Sequence, residues 1–200
     1  MNIIFISGSR SVKKIPPEIF NRIDNIINNS DKLVVGDANG VDKLVQKYLF
    51  SLKYNNVTVF CSGAKCRNNL GNWEEYYVDT PKSIKGFQFY ALKDKEMAFY
   101  ATHALMIWDG KSFGTILNVL RMTILNKVSV LFDATSCNTV TFKNKQDWIK
   151  FYTKFDDEMI DSIYGRASKE ELSYLKSLAA DTFMSSSIIN KTTTQQYTLF

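Results

Sequence analysis

Three short polar loops carry the residue types that recognise phosphate and ribose. Gly8-Ser9-Arg10-Ser11 combines a permissive backbone position, two hydroxyls and a guanidinium able to hold a phosphate in a fork. Gly36-Asp37-Ala38-Asn39-Gly40-Val41-Asp42 has two glycines that allow close backbone approach. Its Asp37, Asn39 and Asp42 offer acceptors for ribose hydroxyls or a cap for the helix that follows. Asp109-Gly110-Lys111-Ser112-Phe113-Gly114-Thr115 precedes an apolar helical segment, 116–125, too hydrophobic to lie on a surface. A phosphate at its start would meet backbone amides, the Ser112 and Thr115 hydroxyls and Lys111, with the helix dipole adding up to roughly 1 kcal/mol. The same residues also make strand-to-helix turns, an Asn-Gly turn and helix caps without any ligand. The spacing G-x-x-x-x-G-K-[ST] is absent, which argues against a Walker-type loop.

The elements that must position these loops are legible in the apolar pattern. Runs rich in Val, Ile and Phe at 2–7, 32–35, 57–61, 104–108 and 128–132 alternate with segments of helical period. This predicts an α/β, Rossmann-like doubly wound parallel sheet in three α/β/α layers, with a small C-terminal helical appendage. Pro16 and Pro17 suit a helix start, and Ile19, Phe20, Ile23, Ile26 and Ile27 form one core-facing stripe. Val41, Leu44, Val45, Tyr48, Leu49 and Leu52 form a second. Residues 62–86 break the rhythm and read as a long functional loop that covers the site.

Beyond residue 132 the spacing predicts a short strand at 139–142, then an aromatic stretch with Trp148, Phe151, Tyr152 and Phe155. That stretch serves either the domain's own core or a homo-oligomer interface. Ser168 and Glu171 make a capping box opening a helix to about residue 182. The expected organisation is a nucleotide-binding domain over 1–132, a strand and helix extension over 133–184, and a mobile polar tail over 185–200.

Two hundred residues with 45% hydrophobic content can bury one sizeable core. No apolar run approaches bilayer-spanning length and the N-terminus enters a strand directly, so a cytoplasmic protein without a membrane is expected. Three cysteines, Cys61, Cys66 and Cys137, lack metal-ligand spacing, and His103 is the only histidine, so neither a disulfide scaffold nor a metal site is expected. His103, just before a buried strand, reads as structural. The net charge of +5 comes from dispersed lysines, which suits an anionic ligand better than a nucleic acid.

Together with Lys93-Asp94-Lys95-Glu96-Met97, the three loops resemble, in residue type and order, the SLOG superfamily. That Rossmann-like group includes LOG phosphoribohydrolases, YspA-like proteins and DNA-processing protein A. The resemblance covers residues 1 to about 132 and is nearest to the YspA-like branch. It implies a nucleotide-type ligand over the carboxyl ends of the strands and no other cofactor. It also implies contacts from Gly8, Ser9, Arg10, Ser11, Gly36, Asp37, Asn39, Asp42, Lys95, Asp109, Gly110, Lys111, Ser112, Gly114, Thr115 and Asn118. LOG enzymes carry P-G-G-x-G-T-x-x-E, and Asn118 stands at the position of that glutamate. Lys95 stands at the position of the LOG arginine. An amide cannot take a proton or supply negative charge beside an oxocarbenium-like centre. The sequence therefore leads to a sensor or sequestering protein for an ADP-ribose-like, NAD-derived or cyclic nucleotide. A hydrolase using Asp109 or Glu96 is the alternative, and a single-stranded nucleic-acid binder ranks third.

Overall fold

The computed structural model describes residues 1–178. Its core is a seven-stranded sheet made of β1 (Ile3–Gly8), β2 (Lys32–Gly36), β3 (Val57–Ser62), β4 (Glu74–Val78), β5 (His103–Trp108), β6 (Val128–Asp133) and β7 (Asn138–Phe142). The spatial order is β4-β3-β2-β1-β5-β6-β7. All neighbours are parallel except β6 and β7. The central strands are continuous apolar runs because both faces are covered.

Strand alternation divides the core. Ile4, Ile6, Leu33, Val35, Val57, Val59, Leu105 and Ile107 form one cluster with the buried residues of α1 (Pro17–Asn28) and α2 (Val41–Ser51). On the other face lie α3 (Gly86–Tyr100) and α4 (Phe113–Ile124), packed on each other and on the middle strands. The expected three-layer α/β/α fold is present. In α1, Ile19 and Ile23 are fully buried, with Phe20, Ile26 and Ile27 packed at their edge. Ile116, Leu117, Val119, Leu120 and Met122 of α4 are inaccessible to solvent.

Two expectations need correction. Residues 62–86 are not one irregular loop, since β4 adds an edge strand there. Four of its five residues are exposed, so the segment has no apolar alternation by which a strand is recognised. Leu52, expected on the buried stripe of α2, is the exposed C-cap residue of that helix. Gln46 is buried instead, its amide donating to the Gly36 carbonyl at 2.9 Å and the Asn68 carbonyl at 3.1 Å.

After β7 come α5 (Lys145–Tyr152) and α6 (Asp157–Tyr164), both packed against α4. Trp148 is fully buried, and Phe151 meets Trp108 at 6.0 Å and Phe142 at 5.2 Å between ring centroids. The aromatic stretch therefore closes the domain's own core.

By internal contact the chain separates into Met1–Arg166 and Ala167–Phe200. Within the second unit a helix runs over 169–178, opened by the expected capping box: Ser168 N–H donates to Glu171 at 2.6 Å and Glu171 N–H to the Ser168 hydroxyl at 3.4 Å. The expected polar tail, 185–200, lies outside the described residues. No helix among the described residues is long and apolar enough to cross a membrane.

Candidate functional site

Strand order reverses between β2-β1 and β5-β6, so the loops after β1 and β5 diverge at the carboxyl edge and leave a crevice. A cavity of about 490 Å³ occupies that place. Its wall takes Gly8, Arg10 and Ser11 from the first loop, Asp42 from α2 and Asp109 and Ser112 from the third loop. The start of α4 adds Gly114 and Thr115, one turn ahead of Asn118. An α-helix leaves its first N–H groups without intrahelical partners, so this end of α4 presents donors to the cavity. The opposite wall is one face of α3, with Phe87, Tyr90, Ala91 and Asp94 at i, i+3, i+4 spacing and Lys93 beside them.

The first and third loops are joined by Asp109. Its Oδ1 accepts from the Ser9 hydroxyl at 2.9 Å and from the N–H groups of Lys111 and Ser112 at 3.0 and 2.7 Å. Its Oδ2 accepts from the Ser11 hydroxyl. Ser9, fully buried, also receives the Asp109 N–H at 3.1 Å and lies 3.3 Å from the Thr115 hydroxyl. Partial burial works to raise the Asp109 pKa, but the donors from Ser11, Lys111, Ser112 and Ser9 prevail and hold it below the usual carboxylate range. A carboxylate fixed as the acceptor of so many donors is an organiser of the two loops and a poor proton donor.

Because its folded pKa is depressed, Asp109 contributes stability above the ordinary carboxylate range, and that contribution fades as pH falls through the folded value. Asp109→Ala is expected to destabilise the domain by about 2–3 kcal/mol at pH 7 and by clearly less near pH 3, measured by urea unfolding. An equal loss at both pH values would show that the ionised bonds do not hold the loops.

Beneath the cavity sits a buried ionic cluster. Lys93 donates to Asp94 Oδ1 at 2.7 Å and lies 3.8 Å from Asp42 Oδ2. Asp42 also accepts from the Ser7 hydroxyl at 3.0 Å and the Ala38 N–H at 3.3 Å. Burial pushes the Asp42 carboxyl up, only partly offset by Lys93. Burial opposes the Lys93 charge, yet the Asp94 and Asp42 carboxylates hold its pKa above the ordinary lysine value. Gly36 makes room for this cluster: a Cβ there would stand 2.3 Å from Asp42 Oδ2 and 2.5 Å from Lys93 Nζ.

The remaining anticipated residues are dispersed. Asp37 is buried and held by Arg67, which donates from Nε at 2.9 Å, Nη2 at 2.5 Å and its own N–H at 3.1 Å. Asn39 is exposed, its Oδ1 3.4 Å from the Asn68 amide. Gly110 turns the third loop at φ +77°, and Lys111 is exposed; neither lines the cavity. Lys95 and Glu96 lie off the cavity face of α3, because steps of one and two residues beyond Asp94 turn them by about 100° and 200° around the helix. His103 is exposed at the first position of β5, at the other end of the strand. Asn118 is buried and lines the cavity, its Oδ1 accepting from Arg121 at 2.5 Å.

Sequence reasoning missed Lys93, Phe87, Tyr90 and Arg67. The helical phase of 86–97 was the signal that would have separated Lys93 from Lys95. Arg67 carried no such signal, since its partner lies 30 residues away in a different loop. The cysteine expectation also changes: Cys61 and Cys66 form a disulfide, leaving Cys137 free and exposed. The turn that permits it contains Gly63 at φ +78°, which reverses the chain directly after β3. The sulfurs and the Asp37 carboxylate cluster within 4.8 Å, but that carboxylate is engaged by Arg67. No protein-family model, curated protein or solved structure matches the chain.

Proposed function

We propose that this protein binds a nucleotide-derived ligand, ADP-ribose-like, NAD-derived or cyclic, at the carboxyl edge of the sheet, as a sensor or sequestering protein. The observation that carries the reading is Arg10. It lines the cavity together with the amino end of α4, and the salt bridges among the described residues leave it without a carboxylate. A guanidinium and helix N–H donors lining the same polar cavity are suited to an anionic group. The Phe87 ring offers flat apolar surface for a base, and Asp94 offers acceptors for ribose hydroxyls.

The charge balance narrows the ligand. Arg10 and Lys93 share the cavity lining with Asp42, Asp94 and Asp109, so the cavity favours one or two phosphates over a long polyphosphate. ADP-ribose, NAD, AMP and cyclic nucleotides are the panel to test by thermal shift. A compound at one hundred times its Kd stabilises the fold by about 2.7 kcal/mol. Arg10→Ala is expected to weaken the retained compound about 10- to 100-fold by calorimetry. A panel without any shift at millimolar concentration would reject the reading.

A second reading, hydrolysis of an N-glycosidic or phosphoester bond, is favoured by one observation. Asp42 is a cavity carboxyl whose pKa burial raises, which is the property a general acid needs. Mass spectrometry of bound and free fractions distinguishes the two. An intact retained compound supports the binder; free base or ribose phosphate, abolished by Asp42→Asn, supports the enzyme.

A further inference from the structure

We infer that the Cys61–Cys66 pair is a redox-sensitive strap that sets the position of Arg67 and, through Tyr90, the cationic wall of the cavity. For what is regulated, the inference rests on the ligand reading above. Cys61 is fully buried in β3, whereas Cys66 is half-buried and immediately precedes Arg67.

Downstream, the segment is tied to the second loop. Arg67 holds Asp37 by three bonds, and the Asn68 amide donates to the Asp37 carbonyl at 2.7 Å. Upstream, between Ser62 and Cys66, the Gly63 N–H donates to the Val78 carbonyl at 3.4 Å. The covalent bond is therefore the main restraint on that side. The Arg67 guanidinium lies 4.3 Å from the Tyr90 ring centroid, and the Arg10 guanidinium lies 5.0 Å from the same ring. Tyr90 thus couples Arg67 to the one cavity cation that lacks a carboxylate.

Reduction needs a dithiol. Its thiolate attacks the Cys66 sulfur, which is the more accessible one, and Cys61 leaves as a thiolate that takes up a proton. The reductant's second thiol then displaces Cys66 and closes the reductant's own disulfide. The pair has gained two electrons and two protons, and the reductant has lost them. The two sulfurs must then part to van der Waals separation. Cys61 is fixed inside the sheet, so Cys66 moves and takes Arg67 with it.

The test uses the full chain. Iodoacetamide in denaturant, followed by intact mass, should add one label to the oxidised protein, at Cys137, and three after reduction. Hydrogen exchange at the Arg67 amide, which donates to Asp37, should be about tenfold faster in the reduced protein and in Cys66→Ser than in the oxidised protein. ADP-ribose affinity should fall about fivefold on reduction, and Arg67→Ala should bind equally in both redox states. Three labels without reductant, even after exposure to an oxidised dithiol, would overturn the strap, as would unchanged Arg67 exchange. If ADP-ribose binds in neither state, the ligand reading falls, while the exchange measurement still decides whether the disulfide positions Arg67.

Discussion

Lys93→Met is expected to lower the free energy of unfolding by about 3–5 kcal/mol at pH 7, because it leaves Asp42 and Asp94 without their buried cation. Methionine fills the same volume, so the loss is electrostatic and not a cavity effect. The pH dependence identifies it. Without Lys93 the folded pKa of Asp42, already raised by burial, rises further. A carboxyl with a raised folded pKa contributes stability while protonated and loses it as pH climbs through the folded value. The deficit should therefore be smaller at pH 5 than at pH 8. Adding Asp42→Asn to Lys93→Met should recover part of the loss, since the unpaired charge has been removed. A deficit below about 1 kcal/mol, or one independent of pH, would show that the cluster is solvated in solution.

Gly40→Ala is expected to cost about 4 kcal/mol, combining overpacking with strain at positive φ, and to lower Tm by roughly 10 °C. Gly40 sits at φ +78°, and a Cβ there would lie 2.4 Å from Arg10 Cα, 2.5 Å from the Arg10 carbonyl oxygen and 2.6 Å from the Ser9 carbonyl oxygen. These are backbone atoms, so no rotamer change relieves the clash. The Val41 N–H donates to that same Ser9 carbonyl at 3.3 Å, which shows how closely the two loops interlock. Gly86→Ala is the control. Gly86 has φ +62° with nothing within 4 Å of its would-be Cβ, so only the conformational cost of about 1 kcal/mol remains. Similar losses for the two variants would mean that backbone angle, not loop packing, makes Gly40 necessary.

Close backbone approach at Gly36 and Gly40 was legible in the sequence as an approach to a ligand. In the structure Gly36 accommodates the Asp42 and Lys93 side chains, and Gly40 accommodates the first loop. Both glycines act one layer behind the cavity, assembling its wall from pieces far apart in the chain.

The sequence by itself determined the alternation of buried strands and covering helices, and hence where three polar loops emerge at one edge of the sheet. Those features depend on periodicity within short windows, as in the stripe through Ile19 and Ile23 and the continuous run in β5. Only the tertiary structure decided what each loop residue touches. Asp109 meets Ser9 across 100 positions, Arg67 meets Asp37 across 30, and helical phase around α3 turns Lys93 inward while Lys95 turns away. The edge strand β4 also appeared only there, since an exposed edge carries no apolar alternation. Such pairings are set by strand order and crossover, which bring distant segments to one edge, and no local pattern encodes them.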